Sequence, residues 1–127
     1  MKTLRDVECF EKLESQIHST RREIAELSKK KPNDPLNTFK LKYLDSALAN
    51  CNTLLGSDSA LEGFTTFGED QVPTNSDAVF VLAHYCDALH RYRKANTRYE
   101  GNSCYWRLSG TKESISAPNP MYKMYKE

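Results

Sequence analysis

The feature that most restricts the fold of this chain is a pair of apolar stripes with helical spacing, one on each side of a proline-containing break. The first stripe runs from Phe10 to Leu27 in steps of three and four residues. The second stripe has the same spacing and consists of Leu41, Leu44, Leu48, Cys51 and Leu55. This spacing places the apolar side chains on one helix face, as in the seam of a coiled coil. The sequence therefore predicts two helices that bury matching faces.

The break between the stripes sets the predicted ends of both helices. The first helix is predicted over residues 3–30, because the basic residues before Pro32 favour a helix C-terminus and proline disfavours helical geometry in the residue before it. Asp34 and Pro35 are typical of an N-cap and of the first helical position after it. A connection this short makes the two helices antiparallel neighbours, so we expect a coiled-coil-like hairpin over residues 3–56.

A third helix is predicted over residues 74–96. Thr74 and Asp77 form a capping-box pattern at its start, in which each side chain can satisfy a backbone amide of the first turn. Asn96 is suited to cap its end. The first half, residues 78–83, is apolar on all sides, which is typical of a helix enclosed by other elements or by another subunit. We therefore expect residues 78–83 to be the most buried segment of the chain.

The segments on either side of the third helix have other patterns. Residues 57–73 form an acidic loop that we expect Phe64 and Phe67 to anchor. After the helix, two β-prone runs flank a Gly-Asn pair suited to a tight turn, which predicts a small β-hairpin over residues 97–108. The last stretch, residues 116–127, is predicted to be an extended tail. The predicted fold class is mainly α, with an antiparallel helical hairpin, a third buried helix and a C-terminal β-hairpin.

Composition is that of an ordinary globular domain. The 127 residues carry a formal net charge of +1, with 28% charged and 39% hydrophobic residues, which argues against a disordered or a strongly polycationic chain. No apolar run approaches the ~18 residues of a membrane span, and charges interrupt the first residues where a signal peptide would be apolar. The four cysteines lack a CxxC pair, and three of them lie on predicted apolar helix faces, as is typical of core residues in a reducing compartment. We therefore expect one helical domain over residues 1–115, in the cytoplasm and without membrane attachment.

Catalytic and metal-binding patterns are weak. Cys86 and His90 lie four residues apart on one face of the third helix, but a zinc site needs three or four ligands. The further ligands would have to come from distant positions, namely Cys9, His18, Cys51 or Cys104. No GxSxG, HExxH or P-loop sequence occurs. The sequence therefore predicts no catalytic residue, no metal site and no cofactor, and a metal-dependent enzyme that uses Cys86 and His90 is the weakest hypothesis.

Charge is distributed unevenly along the second half of the chain. Residues 58–77 contain acidic residues without Lys or Arg, whereas residues 88–112 are basic and interleaved with aromatic residues. Guanidinium groups beside aromatic faces can bind a phosphate while a base stacks on the ring. We expect the arginines and lysine at the end of the third helix to face outward. The candidate ligand-binding residues are Arg91, Arg93, Lys94, Arg98, Tyr99, Tyr105, Trp106 and Arg107.

Two functions from different classes remain open. The first is a non-enzymatic interaction protein, an oligomeric helical scaffold that binds or inhibits a macromolecular partner, as viral or phage accessory proteins do. A two-helix seam rarely buries enough apolar surface alone, so we expect a homo-oligomer with an unidentified protein partner. The second is a protein that binds a nucleotide or short nucleic acid through residues 91–107. Against it, basic residues also complement a helix C-terminus and an acidic loop, and nucleic-acid-binding domains are usually more basic than this chain.

Overall fold

The computed structural model describes residues 3–110 and 114–117, and within them three helices precede two strands. The elements are α1 (Leu4–Lys30), α2 (Thr38–Leu55), α3 (Asn75–Ala95), β1 (Thr97–Glu100) and β2 (Ser103–Trp106). The predicted fold class is confirmed: the chain is mainly α with a small C-terminal β-hairpin. The predicted tail, residues 116–127, lies outside the described residues except for Ser116 and Ala117.

Two capping boxes fix the starts of α1 and α3. The Thr74 hydroxyl accepts a hydrogen bond from the Asp77 amide at 3.1 Å, and the Asp77 carboxylate accepts one from the Thr74 amide, as predicted. Thr3 and Asp6 make the same reciprocal pair at the start of α1. Each box satisfies amides that have no partner within the helix, so both helices begin at defined residues. Asn96 caps the end of α3, again as predicted.

The predicted start of α2 at Asp34 and Pro35 is wrong, because the N-cap of α2 is Asn37. The Asp34 carbonyl instead accepts a hydrogen bond from the Asn75 amide, at 2.9 Å. The Leu36 amide donates to the Pro73 carbonyl, also at 2.9 Å. These bonds tie the α1–α2 connection to the segment that enters α3, and they place Pro35 in an antiparallel β-bridge with Thr74 instead of in a helical turn.

The first two helices form the predicted antiparallel hairpin, but α1 makes its largest contact with α3. The antiparallel order is visible where Lys40, near the start of α2, pairs with Glu23, near the end of α1, at 3.0 Å. The second apolar stripe points inward as predicted, and Leu44 and Leu48 are completely enclosed. Core side chains from all three helices and from Trp106 join in one cluster.

The segment expected to be the most buried, residues 78–83, is buried on one side only, which corrects that prediction. Ala78 and Leu82 are enclosed, Val79 is half-buried, and Phe80 is 60% exposed. Because α3 packs against α1 and α2 through one face, its opposite face remains in solvent. The apolar first half of α3 is therefore not enclosed within a single chain.

The acidic loop between α2 and α3 is anchored by Phe64 and Phe67, as predicted. Their rings are 5.0 Å apart in an edge-to-face arrangement, and Phe64 also contacts the Tyr85 ring. The Asp45 carboxylate of α2 accepts hydrogen bonds from the amides of Phe67 and Gly68, both at 2.9 Å. The loop thus holds α2 in place through both apolar and polar contacts.

Candidate functional site

The β-hairpin divides the predicted ligand-binding residues between two faces. β1 and β2 pair antiparallel, with Thr97 opposite Trp106 and Arg98 opposite Tyr105. Because side chains alternate along a strand, Thr97 and Trp106 face the helices and are buried, whereas Arg98 and Tyr105 lie on the outer face. The Trp106 amide donates to the Ile115 carbonyl at 2.9 Å, so a third extended segment supports β2.

Arg93 is a core residue, and the prediction that it faces outward is wrong. Its side chain is 1% exposed and that of its partner Glu14 is 3% exposed. The guanidinium donates to both Glu14 carboxylate oxygens, at 2.7 Å from Nη2 and 3.3 Å from Nε. It also lies 4.8 Å from the Trp106 ring centroid and 5.2 Å from that of Phe10. Arg93 therefore joins α1, α3 and the hairpin, and Trp106 is enclosed with it.

The outer face of the hairpin holds one of the predicted cation–aromatic contacts. The Arg98 guanidinium lies over the Tyr105 ring at 5.1 Å and also pairs with the Glu100 carboxylate at 3.1 Å. The Nε of Arg107 donates to the Thr97 carbonyl at 3.0 Å, which helps to close the hairpin. Arg98 and Tyr105 are thus brought together as a ligand site would need, although an acidic side chain already engages Arg98.

The remaining predicted residues lie in exposed positions. Arg91 of α3 approaches the Asp58 carboxylate of the acidic loop at 3.8 Å, and both side chains remain exposed. Lys94 is exposed on the last turn of α3, and Tyr99 is exposed near the tip of the hairpin.

The histidine found in contact with Cys86 in the structure is different from His90, which the sequence suggests. The Cys86 sulfur lies 3.7 Å from Nδ1 of His18 on α1, and both side chains are buried. Burial, together with the nearby Cys86 thiol, raises the pKa of Cys51 to about 12. Burial is also the main cause that lowers the pKa of His90. Among residues 3–110 and 114–117, no three His, Cys, Asp or Glu side chains come together as a metal-binding group.

A surface that sequence reasoning missed lies on the outside of α2. We call it the outer α2 surface, and its exposed residues are Thr38, Phe39, Lys42, Tyr43, Ser46, Ala49, Asn50 and Thr53. Phe39 is 80% exposed and Tyr43 is 45% exposed. Within α2, all of which the structure describes, Lys42 is the only charged residue at an exposed position. The exposed face of α1, by contrast, consists mostly of charged residues.

Two grooves run along the boundary between α1 and α2, one at each end of the outer α2 surface. Each is named after the nearer terminus of α2. The N-terminal groove has a volume of about 340 Å³ and is lined by Ser19, Thr20, Glu23, Ile24, Phe39 and Tyr43, among others. The C-terminal groove has a volume of about 450 Å³ and is lined by Cys9, Phe10, Leu13, Asn50, Thr53 and Leu54, among others. The aromatic side chains and the larger groove therefore lie at opposite ends of one helix.

The outer α2 surface and the outer face of the hairpin are the two candidate sites for recognition. No helix in the described part of the chain has both the length and the apolar character needed to cross a membrane. No protein-family model, curated protein or solved structure matches the chain. The geometry of these two sites is therefore the basis for assigning a function.

Proposed function

We propose that this protein is a non-enzymatic interaction protein, a helical scaffold that binds or inhibits a macromolecular partner through the outer α2 surface. The observation that carries the proposal is the exposure of Phe39 beside Tyr43 on a helix face with one charge. Centres of protein interfaces are enriched in aromatic residues and depleted of charged ones. Apolar area left in water costs about 25 cal/mol per Å², a cost that a bound partner removes.

The attachment of α2 to the rest of the chain supports this assignment. The Asn52 side chain donates to the Thr65 carbonyl at 2.8 Å and accepts from the Tyr85 hydroxyl at 2.7 Å. Together with the Asp45 contacts, these bonds fix α2 against α3 and the acidic loop. A helix fixed in this way adds no backbone ordering cost upon binding, which favours affinity.

The test is a comparison of captured proteins between two matched variants. The tagged full-length protein is purified from its native cell as wild type, as Phe39→Ser and as Phe80→Ser. Phe80 is an exposed aromatic residue on the outer face of α3, so its variant controls for the loss of any surface ring. Proteins captured by wild type and by Phe80→Ser, but lost with Phe39→Ser, are the expected result. Partners retained by Phe39→Ser contradict the assigned surface.

A second candidate function is nucleotide or short nucleic-acid binding by the hairpin. The contact between Arg98 and Tyr105 supports it, because this pair combines a cation with an aromatic face on an outer surface. We place it second because Arg98 is already paired with Glu100 and because Arg93 and Trp106 are enclosed in the core.

A further inference from the structure

We infer that the outer α2 surface binds a second copy of this chain in a two-fold, antiparallel contact between the two α2 helices. In this contact, Phe39 of each copy enters the C-terminal groove of the other copy. The inference rests on the proposed function, because it names one partner of the same surface. Three features of α2 support it: the positions of Phe39 and of the C-terminal groove, the spacing of the exposed residues and the placement of the charged residue Lys42.

The first feature is the separation between Phe39 and the C-terminal groove. Phe39 lies in the first turn of α2, whereas Asn50, Thr53 and Leu54 line the groove near its other end. With a rise of 1.5 Å per residue, Phe39 and Thr53 lie about 21 Å apart along the helix. A two-fold axis at Ser46 exchanges these two positions. Both aromatic knobs then meet both grooves at once, which is the self-complementarity that a two-fold interface requires.

The second feature is the spacing of the exposed residues. Steps of four and three residues along α2 give a stripe of Phe39, Tyr43, Ser46, Asn50 and Thr53. This is a second heptad stripe, on the side of α2 opposite the buried one, and heptad spacing allows two helices to interlock along their length. The small side chain of Ser46 lies at the centre of the stripe and the exposed Ala49 lies next to it, which allows a close approach of the helices there.

The third feature is charge. An antiparallel pairing about Ser46 places Lys42 of one copy opposite Asn50 of the other, so the two copies of Lys42 do not meet. Lys12 is on the rim of the C-terminal groove, where its ammonium group can lie against the face of the incoming Phe39 ring. On α1, an equivalent pairing would bury many charged side chains, and their desolvation is costly. The charge pattern therefore favours α2 over α1 as the paired helix.

The contact is tested by mass measurement and by disulfide trapping of the full chain. In a Cys9→Ser background, Ser46→Cys places a thiol on the two-fold axis, where two Cα atoms can approach within the range that a disulfide spans. Ser15→Cys, exposed on α1, is the matched control. We expect a dimer mass for wild type, a rapid interchain disulfide for Ser46→Cys and none for Ser15→Cys. Phe39→Asp should raise the dimer dissociation constant by about 100-fold or more, because two anchor residues are lost.

Three results overturn the two-fold contact: a monomeric wild type at 100 μM or so, a Phe39→Asp variant that remains dimeric, or equal trapping at positions 46 and 15. Circular dichroism of each variant shows whether the helices are intact, so loss of the fold is not mistaken for dissociation. A monomeric wild type that still loses its captured partners through Phe39→Ser overturns the contact while the interaction function stands. A two-fold dimer without any captured partner supports the contact between copies and contradicts the binding of a different macromolecule.

Discussion

Helix α1 meets its two neighbouring helices along seams that differ in how completely they are closed. Along α3, the ring of Phe10 stacks on Tyr92 at 5.2 Å and meets Trp106 edge-on at 5.4 Å. The Arg93–Glu14 pair is enclosed beside these rings. A charged pair is tolerated away from water only where its own geometry and hydrogen bonds compensate for desolvation, as the two contacts between Arg93 and Glu14 do. The α1–α3 seam is therefore finished within a single chain.

Along α2, the same helix leaves a more open boundary. Two grooves lie there, Phe39 is in solvent beside one of them, and the ion pair between Lys40 and Glu23 is partly exposed. The inner face of α2 is nevertheless well buried, so the openness is confined to its outer side. The α1–α3 seam is therefore closed around a buried ion pair, whereas the α1–α2 boundary has open grooves on its outer side, where we propose that a partner binds.

The largest expected effect is the difference between a substitution on the inner side of α2 and one on its outer side. Leu48→Asp places an unpaired carboxylate at a completely enclosed position, and its desolvation exceeds the margin of ~5 kcal/mol that holds a small domain together. We expect this variant to be unfolded by circular dichroism. The adjacent change Ala49→Asp lies on the outer α2 surface and should leave the helices intact while it dissociates the two copies. A folded Leu48→Asp variant would show that α2 does not belong to the core.

The next effect is the difference in unfolding free energy lost when the ion pair of each seam is broken. Glu14→Ala removes the carboxylate from the enclosed Arg93 guanidinium and should lower the free energy of unfolding by about 3–5 kcal/mol. Lys40→Ala breaks the partly exposed pair with Glu23 and should lower the free energy of unfolding by at most about 1 kcal/mol. Urea denaturation of both variants measures the two values. Equal losses would contradict the distinction between a finished and an open seam.

Most of the fold could be predicted because its signals are local. The inner stripes and the capping boxes depend on residues three or four positions apart, and these were identified correctly. The start of α2 could not be predicted, because the bonds that displace it come from Pro73 and Asn75, far along the chain. Local propensity for an N-cap at Asp34 is outweighed by these tertiary hydrogen bonds.

The core position of Arg93 had a signal that was missed. Arg93 follows Leu89 by four residues and Cys86 by seven, so it is in register with a buried stripe. Glu14 follows Phe10 by four residues and is in register with the stripe of α1. Opposite charges within two apolar stripes predict a buried pair. The outer α2 surface had a weaker signal, since the spacing of Phe39 and Tyr43 alone does not separate an exposed stripe from a buried one.

A smaller effect is expected for the reactivity of two thiols that differ in exposure, Cys9 on α1 and Cys51 on the inner face of α2. Cys51 is enclosed with a pKa raised to about 12, so its protonated form stabilises the fold below pH ~9 and this stability is lost as the pH rises towards 12. A thiol reagent at pH 8 should label exposed Cys9 at once and Cys51 only after unfolding. Because Cys9 lines the C-terminal groove, its labelling should slow as protein concentration rises and copies associate. Rapid labelling of Cys51 in the folded protein would contradict its enclosure.

The smallest effect on stability concerns the hairpin, which is remote from the open boundary. Arg98→Gln removes an exposed ion pair with Glu100 and should cost under about 1 kcal/mol of unfolding free energy. Arg93→Gln is unsuitable for this test, because it would disrupt the core. Arg91→Gln, which removes an exposed arginine of α3 paired with Asp58, is the charge-matched control.

These two variants also decide between the two functions. Wild type and both variants are titrated by calorimetry with a panel of nucleotides, cyclic dinucleotides and short single strands. If the hairpin is a phosphate and base site, wild type and Arg91→Gln release heat and Arg98→Gln does not, because the guanidinium contact to phosphate is lost. Binding of a strand should also weaken steeply with salt as counterions are displaced, and that of a mononucleotide less so. No heat from any ligand rejects nucleotide binding, and the outer α2 surface is then the remaining candidate site.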